Sequence, residues 1–172
     1  MKHSRVTAGS FAAVLGPLAG IATSLTGALP ARGVEVPFTE RVISTAADGA
    51  ESVFATDLDG DGDIDVLSAS WRDNKIAWYE SDGGSPPTFT ERVISTAAAA
   101  AISVFATDVD GDGNTDVLSA SVNDDKIAWY ESDGGSPPTF TERVISTGAD
   151  QAYSVFATDV DGDGNTDVLS AS

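Results

Sequence analysis

The chain writes the same text three times with a period of 51 residues. Phe-Thr-Glu-Arg-Val-Ile-Ser-Thr at 38–45 recurs at 89–96 and 140–147, and Ser-Val-Phe-Ala-Thr-Asp at 52–57 recurs at 103–108 and 154–159. Asp-Val-Leu-Ser-Ala-Ser occupies 65–70, 116–121 and 167–172, and a fifteen-residue stretch starting Lys-Ile-Ala-Trp-Tyr-Glu occupies 75–89 and 126–140. A period this long marks a repeat architecture. Each copy is one supersecondary unit that buries its apolar face only against its neighbours.

The conserved segments are short, rich in β-branched and aromatic residues, and bounded by Gly, Pro, Asp or Ser, which are strand signals. No window after residue 31 sustains a 3.6-residue apolar period. One copy therefore supplies four strands: A (52–57), B (65–70), C (75–80) and D (88–95), with the later A strands starting at 103 and 154. Four antiparallel strands per repeat make a propeller blade. Trp78, Tyr79, Trp129 and Tyr130 sit in mid-strand, where packing between blades accounts for them and a sugar-stacking platform is the alternative. Phe54, Phe105 and Phe156 in strand A read as inner core.

Between A and B lies an acidic loop. It contains Asp57, Asp59, Asp61, Asp63 and Asp65; then Asp108, Asp110, Asp112, Asn114 and Asp116; then Asp159, Asp161, Asp163, Asn165 and Asp167. Acids fall at loop positions 1, 3, 5 and 9, with Gly at 6. A hard cation such as Ca²⁺ takes about 6–8 oxygen ligands at roughly 2.3–2.6 Å, and this spacing can curl around one. Crowded carboxylates repel unless a cation neutralises them. A solvated acidic turn is the alternative, and three copies in register favour metal: up to three Ca²⁺ sites. An EF-hand loop has a glutamate at position 12 between helices; here that position is Ser68, Ser119 and Ser170, between strands.

The formal charge is −18, and 13 of the 27 acidic residues lie in the three loops. Such a surface excludes nucleic acid as a partner, because phosphate binding needs clustered Lys and Arg. Cysteine is absent. Residues 1–31 differ from the rest: Lys2, His3 and Arg5 precede a small-residue apolar run at 11–25 that Gly16, Pro17 and Gly20 dilute. This is the pattern of a secretory leader, cut near Ala28 or Ala31, leaving repeats over 35–172 and no membrane insertion. The expected location is secreted, on the cell surface or periplasmic.

These residues resemble the FG-GAP and VCBS repeats of bacterial secreted proteins and of the integrin α-subunit head. The resemblance covers 38–172 and is carried by Ser-Val-Phe-Ala-Thr-Asp, the Asp-x-Asp-Gly-Asp-Gly-x-x-Asp loop, Asp-Val-Leu-Ser-Ala-Ser and Asn-Lys-Ile-Ala-Trp-Tyr-Glu at 74–80. It implies a β-propeller, usually of seven blades, with calcium in the A–B loop. It further implies side-chain ligation by positions 1, 3, 5 and 9, and by the backbone carbonyl of Asp63, Asn114 and Asn165.

The chain offers one initial D strand, two whole A–B–C–D sets, and A and B of a third. The expected fold is all-β, about two and a half blades forming an open arc. The remaining blades come from a longer chain or another chain. Variation between the copies concentrates in the D–A loops (46–51, 97–102, 148–153) and the B–C loops (71–74, 122–125), which share one face. Binding residues sit on loops held by a rigid scaffold, so Glu51, Trp71, Arg72 and Tyr153 are the candidates for a protein or carbohydrate ligand. Beyond residue 31 there is no His, no Cys and no Gly-x-Ser-x-Gly elbow. The expected role is a non-catalytic, calcium-binding adhesion or binding module. The alternative is a structural spacer or accessory domain of a larger extracellular protein or enzyme.

Overall fold

The structure, a computed structural model, describes residues 11–15 and 38–172. The other residues of 1–31, with the expected leader cleavage near Ala28 or Ala31, lie outside the described residues. Twelve strands are formed among the described residues: β1 (Phe11–Leu15), β2 (Thr39–Ser44), β3 (Ala50–Thr56), β4 (Asp65–Ser70), β5 (Lys75–Ser81), β6 (Phe89–Ser95), β7 (Ala101–Thr107), β8 (Asp116–Ser121), β9 (Lys126–Ser132), β10 (Phe140–Ser146), β11 (Ser154–Thr158) and β12 (Asp167–Ala171). No helix occurs among the described residues, and none is long and apolar enough there to cross a membrane. β3–β6 and β7–β10 are antiparallel four-stranded sheets in meander order, while β1–β2 and β11–β12 are two-stranded. The expected all-β architecture of incomplete propeller blades is therefore observed. Strands A to D become β3 to β6, B with its expected bounds and the others shifted by at most two residues.

The burial of each strand follows from its place in the blade. Strand B is covered on both faces by adjacent blades, and every residue of β8 is buried. Its Asp-Val-Leu-Ser-Ala-Ser text suits that place, since small side chains let sheets approach closely and Leu fills the gap. Strand D is outermost and has no buried residue, being half-buried to exposed in β6 and mostly exposed in β10.

Two apolar seams join the blades. Leu67, Ile76 and Trp78 of the first sheet meet Val104, Val117 and Tyr130 of the second. One period later, Leu118 and Ile127 meet Val155 and Ala157. Trp78 and Tyr130 are almost completely buried, which bears out blade packing as their role. A guanidinium also covers each tryptophan: Arg92 lies 5.8 Å from the Trp78 ring and Arg143 5.6 Å from Trp129. The inner strands are stitched directly. Ser52 Oγ accepts from Val104 N at 3.2 Å and Ser103 Oγ from Val155 N at 3.2 Å. Phe54, Phe105 and Phe156 form a ladder with centroids 4.9 and 4.7 Å apart, a separation and tilt that aromatic pairs favour.

β2 packs as the D strand of a preceding blade, its Ile43 resting against Ala77 and Tyr79. β1 pairs with β2 in the register that β5 has on β6, including the bulge: Ala12 opposes Val42 as Ala77 opposes Val93, and Val14 opposes Glu40 as Tyr79 opposes Glu91. The backbone of β1 therefore stands where strand C would stand.

Candidate metal-binding loops

Each acidic loop joins the two innermost strands of its blade, and its glycines allow the coil. Gly60 and Gly62 have φ of +76° and +93°, a region in which an L side chain costs about 1–2 kcal/mol. That backbone turns its N–H groups inward onto the first aspartate. Asp57 Oδ1 accepts from Gly60 N at 2.8 Å and Oδ2 from Gly62 N at 3.0 Å. The second and third loops repeat the pair on Asp108 and Asp159. Position 9 is pinned independently: Asp65 accepts from Leu58 N at 3.1 Å and from Ser81 N, at the end of β5, at 2.8 Å. Asp116 does the same with Val109 N and Ser132 N. The loop is thereby fastened to strand C of its own blade.

Carboxylate oxygens converge in all three loops. Asp57, Asp59 and Asp61 in the first, Asp108, Asp110 and Asp116 in the second, and Asp159, Asp161 and Asp167 in the third each offer an oxygen, all three within 4.8 Å of one another. Two oxygens bound to one Ca²⁺ at about 2.4 Å can be no farther apart than twice that distance, so the sets fit one hard cation. The donors are all oxygens, as Ca²⁺ demands. The sets differ in one respect: the first uses position 5 where the others use position 9, so of the four expected side-chain ligands three converge in each loop.

Electrostatics agrees with crowding. Burial raises the Asp59 carboxyl, and the neighbouring charges of Asp61, Glu80 and Asp57 add to it against an opposing Asp61 N–H bond. Burial likewise raises Asp65 and Asp116, against the N–H groups that bond them. Asp163 moves down instead, held by Asn165.

Position 7 is turned away from the set. A Cβ placed on Gly83 would lie 2.6 Å from Asp63 Cγ, and one on Gly134 would lie 2.8 Å from Asn114 Cγ. These side chains cover the C–D turn of their own blade, and Asn114 Nδ2 also donates to Asp112 Oδ2 at 2.8 Å. That turn is itself tightly built. Asp82 Oδ1 accepts from Gly84 N and Thr88 N, and Oδ2 from Thr88 Oγ1 at 2.6 Å. Asp133 repeats this with Gly135 and Thr139. The Thr88 and Gly84 bonds lower Asp82 to about 2, and the matching bonds lower Asp133 to about 2. Sequence reasoning missed this role; its signal was the invariance of Asp-Gly-Gly-Ser-Pro-Pro-Thr between copies.

The opposite end carries the D–A and B–C loops, as expected. Trp71 N donates to Gly49 O at 2.9 Å and Arg72 N to Asp48 O at 3.1 Å. Trp71 and Arg72 are exposed and adjacent, Arg72 pairing with Asp48 at 3.6 Å. Glu51 and Tyr153 are exposed at equivalent positions of the first and third repeats, so the four candidates share an end of the arc but not a blade. Much of the D–A loop is not free surface. Ala47, Ala98, Ala100 and Ala152 are buried, and Asn74 at φ +55° ties the next loop by accepting from Ala98 N and Ala100 N. Beneath it, Lys75 Nζ donates to Ala46 O at 2.9 Å and pairs with Glu91 at 2.7 Å and Asp73 at 3.2 Å. Burial pulls this lysine down, and the two carboxylates outweigh it and raise it. Lys126 repeats the cluster with Ala97 O, Glu142 and Asp124.

A comparison with curated proteins gives no match. The family model of the FG-GAP-like repeat matches twice, over residues 57–119 and 108–170, each match running from one acidic loop through strand B of the next repeat. With the matches together spanning residues 57–170, the chain belongs to the FG-GAP-like repeat family.

Proposed function

We propose that this chain is an exported, non-catalytic propeller-repeat module whose A–B loops take Ca²⁺, and that it presents its D–A/B–C end to an extracellular protein or carbohydrate. The observation that carries the reading is the convergence of three carboxylate oxygens within 4.8 Å in each of three successive loops. A bound ion would be held by Asp57, Asp59 and Asp61, by Asp108, Asp110 and Asp116, and by Asp159, Asp161 and Asp167. It would offset the neighbouring carboxylate charges that add to the effect of burial on Asp59. Because position 9 is bonded to strand C, an ordered loop would stiffen the whole blade beneath the opposite end.

The test is thermal unfolding of the EDTA-stripped chain with and without Ca²⁺. An ion at ten times its dissociation constant adds about 1.4 kcal/mol per site, so the midpoint rises; an unchanged midpoint refutes the calcium reading. A structural spacer is the second reading, favoured by the buried alanines and main-chain clamps that turn much of the variable end into a connector. Glycan arrays and pull-downs separate the two. The binding reading expects capture that Trp71→Ala or Arg72→Ala weakens, whereas silence with normal calcium stabilisation supports the spacer.

A further inference from the structure

Consecutive acidic loops are fastened to one another across the blade seams, and the fastening runs through two loop positions. Position 2 buries its side chain against the next blade while its main chain holds a carboxylate of its own loop. Leu58 is 3% exposed in the seam that contains Val104, Ala106 and Val117 of the second repeat, and Leu58 N donates to Asp65 at 3.1 Å. One period on, Val109 packs against the seam that contains Val155 and Ala157 of the third repeat, as does Val168. Its N–H donates to Asp116 at 3.0 Å.

Position 8 reaches back in the other direction. Thr166 Oγ1 donates to Asp108 O at 3.2 Å, a bond from the third loop to the second. It joins two stretches that carry convergent oxygens: Thr166 precedes Asp167, and Asp108 opens the second loop. Thr115 holds the same place in the second loop, where it lines a small cavity with Leu58, Asp59 and Gly60 of the first. Curling of one loop therefore bears on the backbone of its neighbour.

We propose that the loops load with Ca²⁺ cooperatively, and that Thr166 is the positioning residue that couples the third loop to the second. This coupling rests on the calcium reading above and adds a regulation to it. An ion on Asp159, Asp161 and Asp167 fixes the backbone at 166. Thr166 then holds Asp108 O in the place from which the Asp108 carboxylate meets Asp110 and Asp116. Without the ion, mutually repelling carboxylates favour an opened third loop, and the anchor on Asp108 is weakened. Coupling between binding sites is reciprocal, so the second loop favours the third by the same factor. The loops then fill over a narrow range of Ca²⁺, and their face of the arc stiffens as a unit rather than blade by blade.

An amide-resolved NMR titration of the full chain with Ca²⁺ tests this. Gly113 N donates to Asp108 and Gly164 N to Asp159, so each amide reports the filling of its own loop. Asp159→Asn disables the third loop, and the Ca²⁺ midpoint read at Gly113 is expected to rise at least about fivefold. Asp108→Asn is expected to raise the Gly164 midpoint by the same factor. Thr166→Val keeps the side-chain shape and loses the hydroxyl; in that background, disabling the third loop no longer moves the Gly113 midpoint. Thr166→Ser keeps the hydroxyl, and there the shift returns. A Gly113 midpoint indifferent to Asp159→Asn overturns the coupling while calcium binding stands. A shift that persists undiminished in Thr166→Val overturns the role of Thr166. Glycine amides that respond to Ca²⁺ in no loop refute the calcium reading itself, and the coupling with it.

Discussion

Gly83→Ala is the substitution whose cost can be worked most directly from the geometry. Gly83 has φ +63°, and a Cβ there would lie 2.6 Å from Asp63 Cγ. Gly60 supplies the reference, since it has φ +76° and nothing within 4 Å of a built Cβ. Gly60→Ala therefore carries only the cost of the left-handed backbone, about 1 kcal/mol. Gly83→Ala carries that plus displacement of the Asp63 carboxylate from its rotamer, about another 1 kcal/mol. For a domain of this size the midpoint falls by about 3–5 °C in the first case and about 6–10 °C in the second. Urea unfolding in EDTA, with unchanged slope, gives the same comparison without metal. Asp63→Ala removes the obstructing group, so the double variant Gly83→Ala/Asp63→Ala drops to the cost of Gly60→Ala, a coupling of about 1 kcal/mol. Equal costs for the two glycines, or no relief from Asp63→Ala, refute the contact between loop and C–D turn.

Lys75→Met strands Glu91 and Asp73 against the D–A loop; both carboxylates keep some water, so the loss is about 2 kcal/mol by denaturant unfolding, below the range for a fully buried pair. Trp78→Ala empties the seam between the first two blades and costs about 3–5 kcal/mol, measurable the same way. Asp82 and Asp133 are lowered to about 2. Their contribution is therefore full above the ordinary carboxylate range near 4 and is lost as pH falls towards 2. Asp82→Asn/Asp133→Asn flattens that part of the acid-unfolding curve, and an unaltered curve contradicts the assignment.

The repeat made most of the fold legible. Strand text recurring at 51 residues located β3–β12 to within two residues, because turn residues and acidic loops punctuate it so densely. The loop carboxylates were legible from spacing alone, since positions 1, 3, 5 and 9 on a glycine-bent backbone leave little freedom in where they point. What spacing could not give was which three converge, as this turns on whether Asp61 or Asp65 leans inward. Nor could it give the Lys75–Asp73–Glu91 cluster, whose members come from three segments and resemble solvated surface charge in the sequence. The variable D–A loop was legible as variable, but not as buried: alanine reads equally well as exposed filler and as a clamped connector. β1 was read only as leader text, and its pairing with β2 depends on register across a long gap, which periodicity does not encode.

Equilibrium dialysis against radiolabelled Ca²⁺ addresses the central claim most directly. The account predicts saturable uptake of three ions per chain, with dissociation constants of about 10⁻⁴–10⁻³ M as in extracellular modules, and loss of one ion each in Asp57→Asn, Asp108→Asn and Asp159→Asn. Uptake that never saturates, or that is the same in all three variants as in the parent chain, contradicts it.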